Sequence, residues 1–83
     1  MKVTLRYFAS VREAMGTGSE TLDTSARTLA ELRTALVARG DAGAQALAPG
    51  RAVRMALNQQ MSDGAAALSE GCEVAFFPPV TGG

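Results

Sequence analysis

Glu73-Val74-Ala75-Phe76-Phe77-Pro78-Pro79-Val80-Thr81-Gly82-Gly83 is the stretch from which the rest of the chain is read. Glu73 to Phe77 has the pattern of a strand, with Val74 and Phe76 on the core side and Ala75 and Phe77 turned outward. Pro78 and Pro79 stop it, because proline carries no N–H for a ladder and fixes its own backbone in an extended form. Val80 and Thr81 are stiff and favour extension, while Gly82 and Gly83 add nothing beyond the backbone. The order predicts a thin extended tail over 78–83 that leaves the body of a domain. At roughly 3.3 Å per residue it would reach about 20 Å, far enough to enter the active site of another protein.

At the tip of such a tail sits the carboxylate of Gly83. Resonance and charge both protect a carboxylate from attack, so it needs activation, typically as an acyl-adenylate made from ATP. Sulfide or a persulfide would then give a thiocarboxylate that carries sulfur, and a lysine amine would give an isopeptide bond. Glycine suits either outcome, since a narrow channel can close on the bare backbone and the terminal carbonyl has no steric cover. Chain termini are often Gly-rich without any function. The succession of aromatic strand, double proline, extended pair and Gly-Gly is what points to use.

Length and composition bound the remainder. The 83 residues make one small domain, 1–83, able to bury only a modest core. Eight basic and eight acidic residues cancel, no Lys/Arg cluster occurs and aromatics are few, so no nucleic-acid partner is expected. The opening Met1-Lys2-Val3-Thr4-Leu5-Arg6 has no long apolar run and no cleavage-like site, which argues against a signal peptide, a membrane span or any membrane role. A cytoplasmic protein is expected. With one cysteine, Cys72, and no histidine, neither an internal disulfide nor a zinc-type ligand set is expected. The same lack removes Ser–His and Cys–His pairs, and the acidic residues are scattered, so the chain is not expected to be an enzyme by itself. Cys72 follows Gly71 at a turn with Glu70 and Glu73 beside it; neighbouring carboxylates disfavour a thiolate, and the thiol reads as incidental.

Residues 2–8 alternate, with Val3, Leu5 and Tyr7 on one side and Lys2, Thr4, Arg6 and Phe8 on the other, as in a half-buried strand. Ser10-Val11-Arg12-Glu13 has capping-box spacing and predicts a short helix over 11–15 ended by Gly16. A second strand is expected within 18–23. Thr28-Leu29-Ala30-Glu31 repeats the box and opens the main helix, with Leu29, Leu32 and Leu36 on one face and Gly40 as its stop. Residues 41–48 read as a short helical turn and loop ending at Pro49-Gly50. Residues 51–58 alternate as a third strand, with Val53, Met55 and Leu57 inward and Arg54, Ala56 and Asn58 outward. Asn58-Gln59-Gln60 is expected to open a loop, and Asp63-Gly64 and Glu70-Gly71 mark turns before the last strand. If the first and last strands are neighbours, outward Phe8 and Phe77 together form an apolar patch, and such patches usually have partners.

The ending from Glu73 to Gly83 resembles that of the small, sulfur-carrying subunit of molybdopterin synthase, a ubiquitin-like β-grasp family. Phe8-Ala9-Ser10-Val11-Arg12-Glu13, the Thr28-to-Leu36 helix, and Leu57-Asn58-Gln59 before Asp63-Gly64 are similar to that family too. Residues 41–51 carry little of the likeness, and Cys72 stands where an acidic residue is common. The resemblance implies an α+β β-grasp fold, a mixed sheet of about four to five strands covered by one main helix. It implies that a ubiquitin-activating-like adenylyltransferase would adenylate Gly83 with ATP and that a sulfur donor protein would convert it to a thiocarboxylate. The tail, Pro78, Pro79, Val80, Thr81, Gly82 and Gly83, would then enter the synthase large subunit, in a heterotetramer, and pass sulfur to a pterin precursor. Phe8 and Phe77 would dock the large subunit and the activating enzyme in turn, with no cofactor or metal bound to the carrier itself. A thiamine-pathway sulfur carrier, a ubiquitin-like protein modifier and a plain binding module remain as other readings. Phe76-Phe77-Pro78-Pro79 resembles the molybdopterin branch more than the thiamine one.

Overall fold

The computed structural model describes residues 1–40 and 44–79. β1 (Lys2–Tyr7) runs directly into α1 (Ala9–Met15), followed by β2 (Ser19–Asp23) and α2 (Leu29–Ala38). A 3₁₀ turn over Ala44–Leu47 leads to β3 (Arg54–Leu57), β4 (Gln60–Ser62) and β5 (Glu73–Phe77). The five strands form one mixed sheet in the order β2-β1-β5-β3-β4. β1 and β5 are parallel at its centre, with Tyr7 opposite Phe76, and the other pairings are antiparallel. A mixed sheet of this order, with one principal helix over one face, is the expected β-grasp.

The parity of β1 and β5 places the core. Val3, Leu5, Tyr7, Val74 and Phe76 are fully buried on one face, beneath Leu29, Leu32 and Leu36 of α2 and Leu47 of the 3₁₀ turn. Burying each such leucine stabilises the fold by roughly 1.5–3 kcal/mol, more than any single cap. Thr28 caps α2 as expected, its Oγ1 accepting the Glu31 N–H at 3.2 Å, and Glu31 reaches back to the Arg27 N–H at 2.8 Å. Gly40 follows the helix at φ 69°, the left-handed geometry that glycine adopts without a Cβ clash. Cys72 lies in the core at 3% exposure.

Several boundaries differ from those expected. Phe8 is not the last residue of β1 but the N-cap of α1: its carbonyl accepts from the Val11 and Arg12 N–H groups, and no side chain caps that end. Ser10 is therefore inside the first turn and makes no capping box. The physical reason is continuity, since the Phe8 N–H still donates to Phe76 O of the sheet and its own carbonyl already serves the helix. β3 begins at Arg54, not Arg51, because its ladder with β5 starts opposite Phe77 and the following Pro78 has no N–H to extend it. Asn58-Gln59 is not the opening of a loop but the two-residue turn of a hairpin into β4, with φ of 50° and 70°. Asn58 also accepts the Glu73 N–H on Oδ1 at 2.9 Å and donates its own N–H to Glu73 O, pinning the hairpin to β5. Residues 41–43 of the expected helical turn lie outside the described residues. Ala56 and Ala75 point away from α2 as expected, yet both are buried, since an alanine methyl set between longer neighbours in its row is shaded by them.

Two polar networks brace the helix side. Arg33 donates from Nε to Leu47 O and from Nη2 to Ala48 O and Arg51 O, at 2.6–3.0 Å, tying the segment before β3 to α2. Arg39 meets both carboxylate oxygens of Glu20, which also accepts the Tyr7 hydroxyl at 2.9 Å. The Arg39 hydrogen bonds hold the Glu20 carboxyl below the usual carboxylate range, against the opposing effect of burial. Burial, then Glu20, pushes the Tyr7 hydroxyl above its ordinary value. No helix of the described residues is long and apolar enough to cross a membrane.

Two measurements check this account. Gln59 carries a Cβ at φ 70°, so Gln59→Gly is expected to raise stability by about 0.5–1 kcal/mol in urea denaturation. A carboxyl whose folded pKa is depressed contributes stability above its unfolded value, near 4.3 for glutamate, and loses it as pH falls through the folded value. Denaturation midpoints should therefore drop on acidification below about pH 5, and Glu20→Gln should flatten part of that drop.

Candidate functional site

The face of the sheet opposite α2 is bare of helices, and its side chains follow from the register. Arg6, Ala75, Ala56 and Met61 fall in one row across β1, β5, β3 and β4. One step toward the end of β5, Phe77 stands opposite Arg54, and Phe8 lies beyond the end of β1. The Phe8 and Phe77 rings meet edge to face, 6.5 Å apart at 84°. That arrangement suits aromatic quadrupoles and holds both rings in place without burying them. Phe8 is 44% exposed and Met61 59%, the largest apolar exposures of the described chain.

Charge frames this patch. The Arg6 guanidinium stands 6.0 Å from the centre of the Phe8 ring and 3.8 Å from the Glu73 carboxylate. Glu73 is in turn held by its backbone bonds to Asn58. Phe77 ends β5, and Pro78 and Pro79, both half-buried, follow it off the sheet. Pro78 thus follows a central strand beside the aromatic pair, and the pairing of β1 with β5 brings Phe8 and Phe77 together as expected if those strands were neighbours. Val80, Thr81, Gly82 and Gly83 lie outside the described residues.

The arrangement is suited to docking. Two aromatics and a methionine offer desolvatable area, and the adjacent strand end aims the chain outward. Among the described residues no cluster of three or more His, Cys, Asp or Glu is placed to hold a metal ion. Met61 was not anticipated from the sequence. Reading Asn58-Gln59 as a two-residue hairpin turn would have put Met61 across from Ala56 and so on the same face.

Comparison with known proteins gives the family. The ThiS family model matches residues 5–83. The chain is 42% identical over 77 residues to the molybdopterin synthase sulfur carrier subunit of Escherichia coli, covering 93% of this chain and 94% of the relative. It is 39% identical to the subunit of the same name from Haemophilus influenzae, with the same coverage. Among solved structures, a chain of the complex of subunits 1 and 2 of the molybdopterin-converting factor from Helicobacter pylori superposes with a TM-score of 0.70 at 27% identity, covering all of both chains. A match running almost from end to end, together with the mixed sheet, makes this chain a member of the ThiS family, alongside the molybdopterin synthase sulfur carrier subunits.

Proposed function

We infer that this chain is the sulfur carrier subunit of molybdopterin synthase and that Gly83 is its working residue. The observation that carries the reading is the contact of exposed Phe8 with half-buried Phe77, the residue that ends central strand β5 before the tail. A ubiquitin-activating-like adenylyltransferase joins the Gly83 carboxylate to AMP with release of pyrophosphate. The persulfide of a sulfur donor protein then displaces AMP, and a second thiol cleaves the S–S bond of the resulting acyl disulfide, leaving a thiocarboxylate on Gly83 and a disulfide on the donor side. In the large subunit's active site that sulfur passes to a pterin precursor, and two such transfers complete one dithiolene. The carrier leaves after each and is recharged.

In this reading Gly83 is a co-substrate, and the chain contributes position. Pro78 and Pro79 stiffen the root of the tail, Val80 and Thr81 keep it extended, and Gly82 lets a narrow channel close around it. Phe8 and Phe77 dock the large subunit and the activating enzyme in turn. ATP belongs to the activating enzyme, and the carrier needs no cofactor of its own. A heterotetramer of two carriers and two large subunits, working in the cytoplasm, is the assembly this reading implies.

The first test is the intact mass of untagged protein purified from cells expressing its pathway enzymes. Replacement of one oxygen by sulfur, confined to the terminal peptide, is expected. An unmodified mass under sulfur-replete conditions, or attachment to lysines of other proteins, would overturn the reading. Deleting Gly83, or Gly82→Val, should abolish sulfur transfer with an unchanged melting temperature. Phe8→Asp, at an exposed position, should leave the fold standing and weaken binding to the large subunit by at least about tenfold, measured calorimetrically.

A further inference from the structure

A second surface meets the tail root at Pro78. Between α1, the 3₁₀ turn and the segment entering β3 runs a groove of about 480 Å³, lined by apolar Val11, Ala14, Ala52 and Val53, with Ser10 and Arg51, and Pro78 at its rim. Arg51 is the only charged residue in the lining. Its carbonyl is fixed by Arg33, but its exposed guanidinium has no hydrogen-bond or ion-pair partner among the described residues. On the open face Arg54, opposite Phe77, is likewise exposed and unpartnered. Glu73 faces Arg6 at 3.8 Å, and Asp63 accepts the Ala65 N–H on Oδ1 at 2.9 Å, so neither is recorded as an ion-pair partner of Arg54 among the described residues. Two arginines with no acidic partner among the described residues thus stand near the tail root, Arg51 in the groove that Pro78 rims and Arg54 opposite Phe77.

We propose that the partner enclosing the tail grips its root with acidic residues, one carboxylate meeting Arg54 on the open face and another meeting Arg51 in the groove. The occupant is the molybdopterin synthase large subunit, so the proposal rests on the function inferred above. Two facts point there. The groove and the aromatic face share the tail root through Pro78 and Phe77, so a protein that surrounds the tail must cover both. The chemistry wanted in the groove is also specific: an apolar side chain against Val11, Ala14 and Val53, with a carboxylate reaching Arg51. Desolvating either arginine against an uncharged partner would cost free energy with no return, whereas an opposing carboxylate offsets it and steers the encounter. The paired arginines thereby select for partners with an acidic channel mouth.

The test is binding of untagged carrier to purified large subunit, followed by calorimetry and stopped flow at about 50 mM and about 1 M salt, where screening lengths are roughly 14 Å and 3 Å. Arg51→Glu and Arg54→Glu should each weaken binding at low salt by roughly three- to tenfold, chiefly through the association rate. The double variant should lose close to the product of the two. High salt should erase most of each difference, and Arg→Lys at either position should retain most of the affinity. Both side chains are exposed, so melting temperatures should match wild type. Reversing one large-subunit carboxylate to lysine should restore binding of the matching Glu variant only. Unchanged affinity, or losses indifferent to salt, would overturn the proposal while wild-type binding keeps the functional reading intact. Slowed adenylation with unchanged large-subunit binding would overturn it in favour of the activating enzyme, and charge-dependent self-association in favour of a second copy. Failure of wild type to bind the large subunit would instead refute the functional reading on which the proposal stands.

Discussion

The parallel pairing of β1 with β5 is the constraint on which the molecule depends. Parallel neighbours cannot be joined by a tight turn, so everything between Tyr7 and Glu73 must cross over and return, and the crossover supplies α2 and the β3–β4 hairpin. The same pairing brings the first and last strands side by side at the middle of the sheet. Phe76 reaches the core opposite Tyr7, and Phe77 ends the strand beside Phe8. Core and docking face are therefore alternate residues of the same two strands, separated only by the pleat.

That economy explains how an 83-residue chain carries a working surface without losing its core. The helix face takes the large aliphatics and Tyr7, whose hydroxyl is satisfied by Glu20 and, through it, Arg39. No buried side-chain polar atom of the described residues is left without a partner. The open face can then keep Phe8 and Met61 in water, an arrangement that contributes nothing to folding and suits a partner.

Function in this chain is a matter of delivery. The sequence has no histidine, and its one thiol lies in the core. A firm sheet and a proline-stiffened root suit the carrier role inferred above. In the proposals above, the aromatics supply area for docking and the two arginines near the root add charge.

Much of this was legible in the sequence because local rules dominated there. Period-two alternation placed Val3, Leu5 and Tyr7 inward, Thr28 and Glu31 opened α2, and Pro78 ended β5 where its missing N–H required. What sequence alone determined was thus most of the elements and the core face, each set by neighbours along the chain. Ser10 was misread because a capping pattern cannot tell whether a strand already feeds the helix, and Phe8 served as the cap in its place. Met61 and the short β4 were missed because a positive φ at Gln59 is held by the hairpin and its pairing, not by any preference of glutamine. The tertiary structure alone decided which strands became neighbours, and hence that Phe8 meets Phe77 and that Arg51 and Arg54 stand near one tail root, because those juxtapositions arise from hydrogen-bond register between segments far apart in sequence.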